Sequence, residues 1–206
     1  MSGDAVAAAD GELRCPWGIS APDYLTYHDQ EWGRPVRDDN GLFERLTLEA
    51  FQSGLSWLTI LRKRAAFRAA FAGFDIATVA DFGATDRARL LADATIVRNK
   101  AKVDAAMANA RAAMGLDEPL ATVLWRFAPD PRPAPRTLSD IPATTSASTA
   151  LAKDLKRRGF AFVGPTTAYA LMQAVGMVND HLDDCWVRKD VARAGAIDTV
   201  PPADER

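Results

Sequence analysis

Four side chains in this sequence can bind a soft metal ion, and they fall in two short segments: Cys15 and His28 near the start, His181 and Cys185 of "HLDDC" near the end. They are all the cysteine and histidine the chain has. His181 and Cys185 lie four residues apart, so a single helical turn or tight loop lets both reach one ion. Two thiolates and two imidazoles suit tetrahedral zinc, and four protein ligands leave no position for substrate or activated water, so such a site is structural. The spacing leaves two other readings open. Four buried side chains without a metal are one; a cysteine–histidine nucleophilic dyad is the other, although no third group stands at an obvious offset. A Cys15–Cys185 disulfide is disfavoured in a cytosolic compartment.

A carboxylate at an apolar position is the second chemical feature. Leu42, Leu46, Glu49 and Ser53 follow offsets of four, seven and eleven, which places them on one helical stripe. Glu49 is then on the face that should be buried, where an unpaired charge costs several kcal/mol. It must find donors or a cation there, or sit at the edge of the stripe and bond a backbone amide. Five rings lie in the first third of the chain: Trp17, Tyr24, Tyr27, Trp32 and Trp57. Rings are often only core. A cavity walled by tyrosine and tryptophan around one carboxylate suits a flat, cationic, hydrogen-bonding ligand, and a methylated purine still on its sugar is one.

The elements that must position these groups read as helical almost throughout. After a small-residue leader without expected structure (1–12), "DDNGLFERLTLEAFQSG" is a helix ended at Gly54. A second helix follows Ser56, with Trp57, Ile60, Leu61, Phe67 and Phe71 inward. Asp75 and Thr85 read as N-caps of two shorter helices, and Val103, Met107, Ala110 and Met114 mark the inner face of another that stops at Gly115. Prolines at 129, 131, 133, 135 and 142 mark a long loop. Then "LKRRGFAFVGPTTAYALMQAVG" reads helix, short turn, helix. The first turn of that second helix, from Thr166, presents free backbone N–H groups able to hold a phosphate, with Arg157 and Arg158 adding attraction; an ordinary hairpin in a core is the plainer reading. The last residues, 188–206, read as a tail.

Of the 206 residues 48% are hydrophobic, enough for a real core, and the formal charge is −2. That excludes a protein coated in positive charge but not a local basic face. The clusters at 62–64, at Arg98, Lys100 and Lys102, and at Lys153–Arg158 read first as solvated helix surface. No apolar run approaches the ~20 residues that span a bilayer, and no basic n-region opens the chain, so a cytoplasmic protein without a membrane partner is expected.

Taken together, "RCPWG", "YLTYHDQEWGRP", "LEAFQSGLSW", "IVRNKAKV" and the long stretch from "IPATTSASTALAKDLKRRG" to "NDHLDDC" resemble the DNA-3-methyladenine glycosylase I family. The resemblance implies an all-α helix-hairpin-helix glycosylase fold, a single helical domain over 13–187, and one structural zinc held by Cys15, His28, His181 and Cys185 that joins the N- and C-terminal segments. It also implies that the turn at "GFAFVGPTT", with Gly164, Thr166 and Thr167, holds the DNA backbone. Glu49 becomes the catalytic carboxylate that reads the purine edge, Tyr27 and Trp57 line the base pocket, and Trp17, Tyr24 and Trp32 are neighbouring aromatic contacts. The expected partner is double-stranded DNA containing alkylated purines, bound by a monomer. Relatives in the wider superfamily often carry an aspartate after the hairpin; "VNDH" offers Asp180, with Asn179 in or beside the matching place. Strand-cleaving members carry a lysine after the hairpin glycine, where this chain has Pro165 and Thr166, which implies base removal without nicking. Two other classes compete: a non-enzymatic DNA-binding zinc protein, indifferent to Glu49, and a zinc hydrolase, which needs an open coordination position.

Overall fold

A computed structural model describes residues 4–197 of the chain. Helices dominate, as the periodicity predicts: α1 (Pro22–Gln30), α2 (Asp39–Gln52), α3 (Trp57–Ala70), α4 (Ile76–Ala80), α5 (Ala84–Ala92), α6 (Lys100–Met114), α7 (Leu120–Trp125), α8 (Ser146–Arg157), α9 (Pro165–Ala174) and α10 (Trp186–Ile197). Among the described residues the only sheet pairs β1 (Val6–Ala7) with β2 (Leu13–Arg14), antiparallel. The chain forms two compact units, one from residues up to 36, 129–142 and from 172 onward, the other from 37–128 and 143–171.

The larger unit, 37–128 with 143–171, is built on phenylalanine. Phe43, Phe51, Phe67, Phe71 and Phe74 are fully buried, and Phe51 meets Phe67 edge-on at 4.8 Å while Phe71 and Phe74 stack at 5.6 Å. Such pairs are worth about 0.5–1.5 kcal/mol beyond the area they remove from water. The helix starts follow side-chain chemistry. Asp38 accepts from the Gly41 amide at 2.6 Å, Ser56 from Thr59 and Asp75 from Thr78, each satisfying a donor that the first turn leaves without a partner. Thr85 is not the cap expected: Gly83, two residues earlier, takes that place, where Asp86 reaches back to the Gly83 amide at 3.1 Å. Met114, expected inward, is 57% exposed at the end of α6.

The smaller unit collects both ends of the described chain. Cys15, Leu182, Cys185, Val187 and Val191 form its buried centre, with Trp17 and Trp186 packed on it. The expected leader contains β1, and the expected tail is helical to residue 197, because Trp186, Val187 and Val191 give α10 an apolar face to bury. Residues 1–3 of that leader and 198–206 of that tail lie outside the described residues. No helix is long and apolar enough to cross a membrane among the residues described.

Candidate functional site

The four soft donors meet in the smaller unit. Cys15, His28, His181 and Cys185 are all buried, and their ligand atoms lie within 4.8 Å of one another. His28 Nε2 is 3.2 Å from His181 Nδ1, Cys185 Sγ is 3.6 and 3.7 Å from the two nitrogens, and Cys15 Sγ is 3.9 Å from His181 Nδ1. A tetrahedral ion bound at about 2.0–2.1 Å by nitrogen and about 2.3 Å by sulfur has N–N edges of about 3.3 Å and N–S edges of about 3.6 Å. The donor atoms therefore stand near the corners of the tetrahedron such an ion needs. Hydrogen bonding from Cys15, helped by the imidazoles, pushes Cys185 down toward thiolate, while that same contact and burial push Cys15 up.

Each imidazole has its other nitrogen occupied, which fixes the tautomer and aims the ligating nitrogen inward. His28 Nδ1 donates to Asp29 Oδ1 at 2.8 Å, and Arg14 grips the same carboxylate through Nε at 3.0 Å and Nη2 at 2.9 Å. Arg14 is held in turn by Asp10 at 2.7 Å. Burial works against the Asp29 carboxylate, but Arg14 and His28 together keep it below the usual range. His181 Nε2 donates to the Trp32 carbonyl at 3.1 Å. Glycine closes the approach: a Cβ on Gly18 would fall 2.6 Å from His28 Cγ.

The rings expected at a base pocket divide between the units. Trp17, half-buried, packs edge-on against Tyr24, His28 and Trp32 at 5.7, 5.0 and 5.0 Å and tilts over Tyr27 at 6.4 Å. Trp32 is buried with its ring edge-on to His181 at 4.7 Å, so in this unit it serves as a wall of the four-donor cluster. Tyr27 is buried on α1 and Tyr24, one turn earlier, half-buried.

Glu49 and Trp57 belong to the larger unit. Glu49 lies on the inner stripe of α2 beside Leu42 and Leu46, only 6% exposed. Among the described residues nothing donates a hydrogen bond to its carboxylate, and burial, opposed only by the positive charge of Arg45, raises its pKa to about 8. Ser53, the fourth residue of that stripe, is exposed past the helix end. Trp57 opens α3, half-buried, directly after the cap Ser56.

The same unit carries the hairpin. α8 begins with a reciprocal cap between Thr145 and Ser148 and ends at Arg157, and α9 starts at Pro165. Gly164 and Thr166 are exposed and Thr167 half-buried at the start of α9. The two arginines expected to attract phosphate are both paired with Asp154, and Arg158 is 25% exposed, so their charge is partly neutralised. The turn itself is stapled from α6: the Asn109 amide donates to the Ala161 carbonyl at 3.1 Å and accepts from the Ala161 amide at 2.7 Å, fully buried.

Three groups here are not legible as site residues from spacing. Asp29 has a signal, since it directly follows His28. Lys102, expected on a solvated basic face, is 7% exposed, and its Nζ donates to the carbonyls of Phe51 and Ser53 at 2.9 and 2.5 Å, closing the end of the helix that carries Glu49. Asn109 sits among alanines with nothing to distinguish it. Asp180 is 1% exposed and accepts from Arg132 Nη2 at 2.6 Å and Gln173 Nε2 at 2.9 Å, so both oxygens are already engaged.

Comparison with known proteins gives a consistent result. A family model described as methyladenine glycosylase matches residues 17–189. The DNA-3-methyladenine glycosylase 1 of Escherichia coli (strain K12) is 47% identical over 178 residues, covering 84% of this chain and 95% of that protein. A crystal structure of 3-methyladenine DNA glycosylase I superposes with a TM-score of 0.81 at 44% identity over 84% of this chain and 98% of the other. The Staphylococcus aureus 3-methyladenine DNA glycosylase I, solved to explain 3-methyladenine recognition, gives 0.80 at 35% identity over 85% and 96%.

Proposed function

The chain belongs to the methyladenine glycosylase family, and we propose that it excises 3-methyladenine from alkylated duplex DNA by hydrolysing the N-glycosidic bond, with Glu49 as the carboxylate that reads the base. The observation that carries the role of Glu49 is its burial on α2 with no hydrogen-bond donor among the described residues. A carboxylate in that state is waiting for donors or positive charge.

Alkylation at N3 supplies the positive charge, and the purine already has the donor. The substituted purine is cationic on its sugar and carries an exocyclic N–H donor. A base inside a duplex is out of reach, so it must be turned out of the stack, at a cost of about a few kcal/mol, least for a damaged base. Glu49 then pairs with the cation, Trp57 offers a ring face, and Tyr27, Tyr24 and Trp17 carry over from the family motif as further aromatic contacts. As the bond breaks, the purine leaves neutral, positive charge passes to the sugar, and water takes the sugar carbon. A leaving group of that kind needs little acid catalysis. Arg132 and Gln173 each hold one oxygen of Asp180, and we assign it the part of fixing that frame rather than of a base. With Pro165 and Thr166 after the hairpin glycine no amine is offered there to the sugar, so the product is an abasic site in an intact strand. The backbone N–H groups around Gly164, Thr166 and Thr167 hold DNA phosphate.

Cys15, His28, His181 and Cys185 hold one zinc. Their number, chemistry and mutual spacing fit it, and four protein ligands make it a fastener between the two ends of the chain with no part in the reaction. We place the enzyme in the cytoplasm as a monomer, with 13–187 acting as one glycosylase domain. The test is direct: the purified protein is incubated with methylated duplex DNA, the released base is identified by chromatography, and the strands are run on a denaturing gel. Free 3-methyladenine with uncut strands is expected. Absence of the free base overturns the function, and strand breaks or a trapped protein–DNA Schiff base overturn the chemistry.

A further inference from the structure

Among the described residues three besides glycine hold a positive φ: Ala72 at 51°, Phe74 at 60° and Phe162 at 57°. That left-handed region crowds a Cβ against the neighbouring carbonyl, and a bulky side chain persists there only where its surroundings repay the strain. For Phe74 the repayment is visible: its ring is fully buried and stacks on Phe71 at 5.6 Å. Phe162 gains far less from the protein. Its ring is 41% exposed, in the turn between α8 and α9.

The turn has other means of keeping its shape. Gly159 supplies a left-handed residue at φ 92°, the Asn109 amide holds both backbone groups of Ala161, and the side chains of Phe160 and Val163 are buried. These anchors fix the backbone around residue 162 while its ring stays presented to solvent. Phe162 also stands two residues before Gly164, so their Cα atoms are at most about 7 Å apart. The amides from Gly164 onward are those assigned above to a DNA phosphate, and every phosphate within a strand joins two deoxyriboses whose carbon faces are apolar.

We propose that Phe162 is a DNA-contacting residue that lays its ring against a deoxyribose beside the phosphate held at the start of α9. The inference rests on the reading of this hairpin as a DNA-backbone contact. The ring and the sugar carbons are removed from water together, so the contribution is indifferent to base sequence and, unlike a phosphate contact, releases no counterion. Because the turn is already held, little freedom is lost when the contact forms. Such a contact suits an enzyme that must hold ordinary duplex while it searches for a rare damaged base.

The test measures equilibrium binding of the full-length, metal-loaded protein to a fluorescein-labelled duplex, undamaged or carrying one 3-methyladenine, over a range of salt concentrations. Phe162→Asn and Phe162→Gly remove the ring but accept the left-handed backbone, and Phe162→Tyr keeps the ring. Covering the exposed part of a phenyl ring is worth about 10-fold in Kd, so the Asn and Gly variants should bind both duplexes about 10-fold more weakly and the Tyr variant should stay within about 2-fold of wild type. The slope of log Kd against log salt should not change, whereas a lost phosphate contact lowers it by about one. Both variants without the ring should melt no lower than wild type, since strain is released. Wild-type affinity in Phe162→Asn overturns the proposal. So does a lower salt slope or a lower melting temperature, either of which makes the ring a support of the turn, and so does a loss confined to the damaged duplex, which moves the contact to the base. A wild type without affinity for either duplex removes the hairpin reading as well.

Discussion

Burial raises the pKa of Glu49 from 4.5 to about 8, and that single shift links recognition to stability. The sign is that of a raised acid: between pH 4.5 and about 8 the folded chain keeps a proton that the unfolded chain has released. Folding is therefore favoured least by this group at high pH. Its penalty is absent below pH 4.5, grows as pH rises toward 8, and is constant above, reaching on the order of a few kcal/mol. Glu49→Gln keeps the shape and loses the titration. Denaturant unfolding at pH 6 and pH 9 should show the wild type losing stability relative to the variant as pH rises, and parallel curves would remove the buried-carboxylate account. Asp29 offers a second test at this scale. Since it fixes the His28 ring, Asp29→Asn should weaken zinc binding about 10- to 100-fold in a competition titration with a chromophoric chelator; unchanged affinity would make the Arg14–Asp29 pair mere packing.

Elements were readable where one short-range rule decided them. Ser56 and Asp75 announce helix starts because each side chain meets an amide three residues on, and Glu49 was placed inside because two leucines share its stripe. The reading failed where a partner from another element decided the outcome. Lys102 looks like surface charge until the carbonyls at the end of α2 are brought to it, and burial then holds its pKa below the usual lysine range. Asn109 looks like any polar residue on an alanine-rich helix, yet it pairs with both backbone groups of Ala161 in the hairpin turn. Asn109→Ala leaves a buried carbonyl and amide at Ala161 without those partners. It should cost about 2–4 kcal/mol in chemical unfolding and weaken DNA binding more than it slows excision of bound substrate. A loss below about 0.5 kcal/mol, the range of an ordinary surface change, would mean the turn holds its shape without Asn109.

Across the whole chain, scarcity and spacing bring out the four soft donors, but not what surrounds them. Spacing could not show that the Trp32 carbonyl and the Asp29 carboxylate hold the two imidazoles, because the contact between residues 28 and 181 exists only once both ends are folded together. That separation also predicts the cost of metal loss. A metal clip between segments so far apart in sequence would restrict the unfolded chain strongly and couple folding to binding. Elemental analysis should find one zinc per chain. Chelation should lower the melting temperature by several degrees or more, in step with loss of the contacts around His181, and acid should release the metal by protonating its ligands. A chelated protein that melts unchanged would show the four side chains to be filled core.

The central claim is that a buried carboxyl group, which gives up its proton when positive charge enters beside it, selects a cationic base, and single-turnover excision from duplex DNA carrying one 3-methyladenine tests it most directly, with wild type and Glu49→Gln compared from pH 6 to pH 9. Losing a charge-assisted contact to the reacting base should slow the variant by roughly 100-fold or more while its affinity for undamaged DNA stays the same. A variant that releases the base at the wild-type rate across that range would contradict the account.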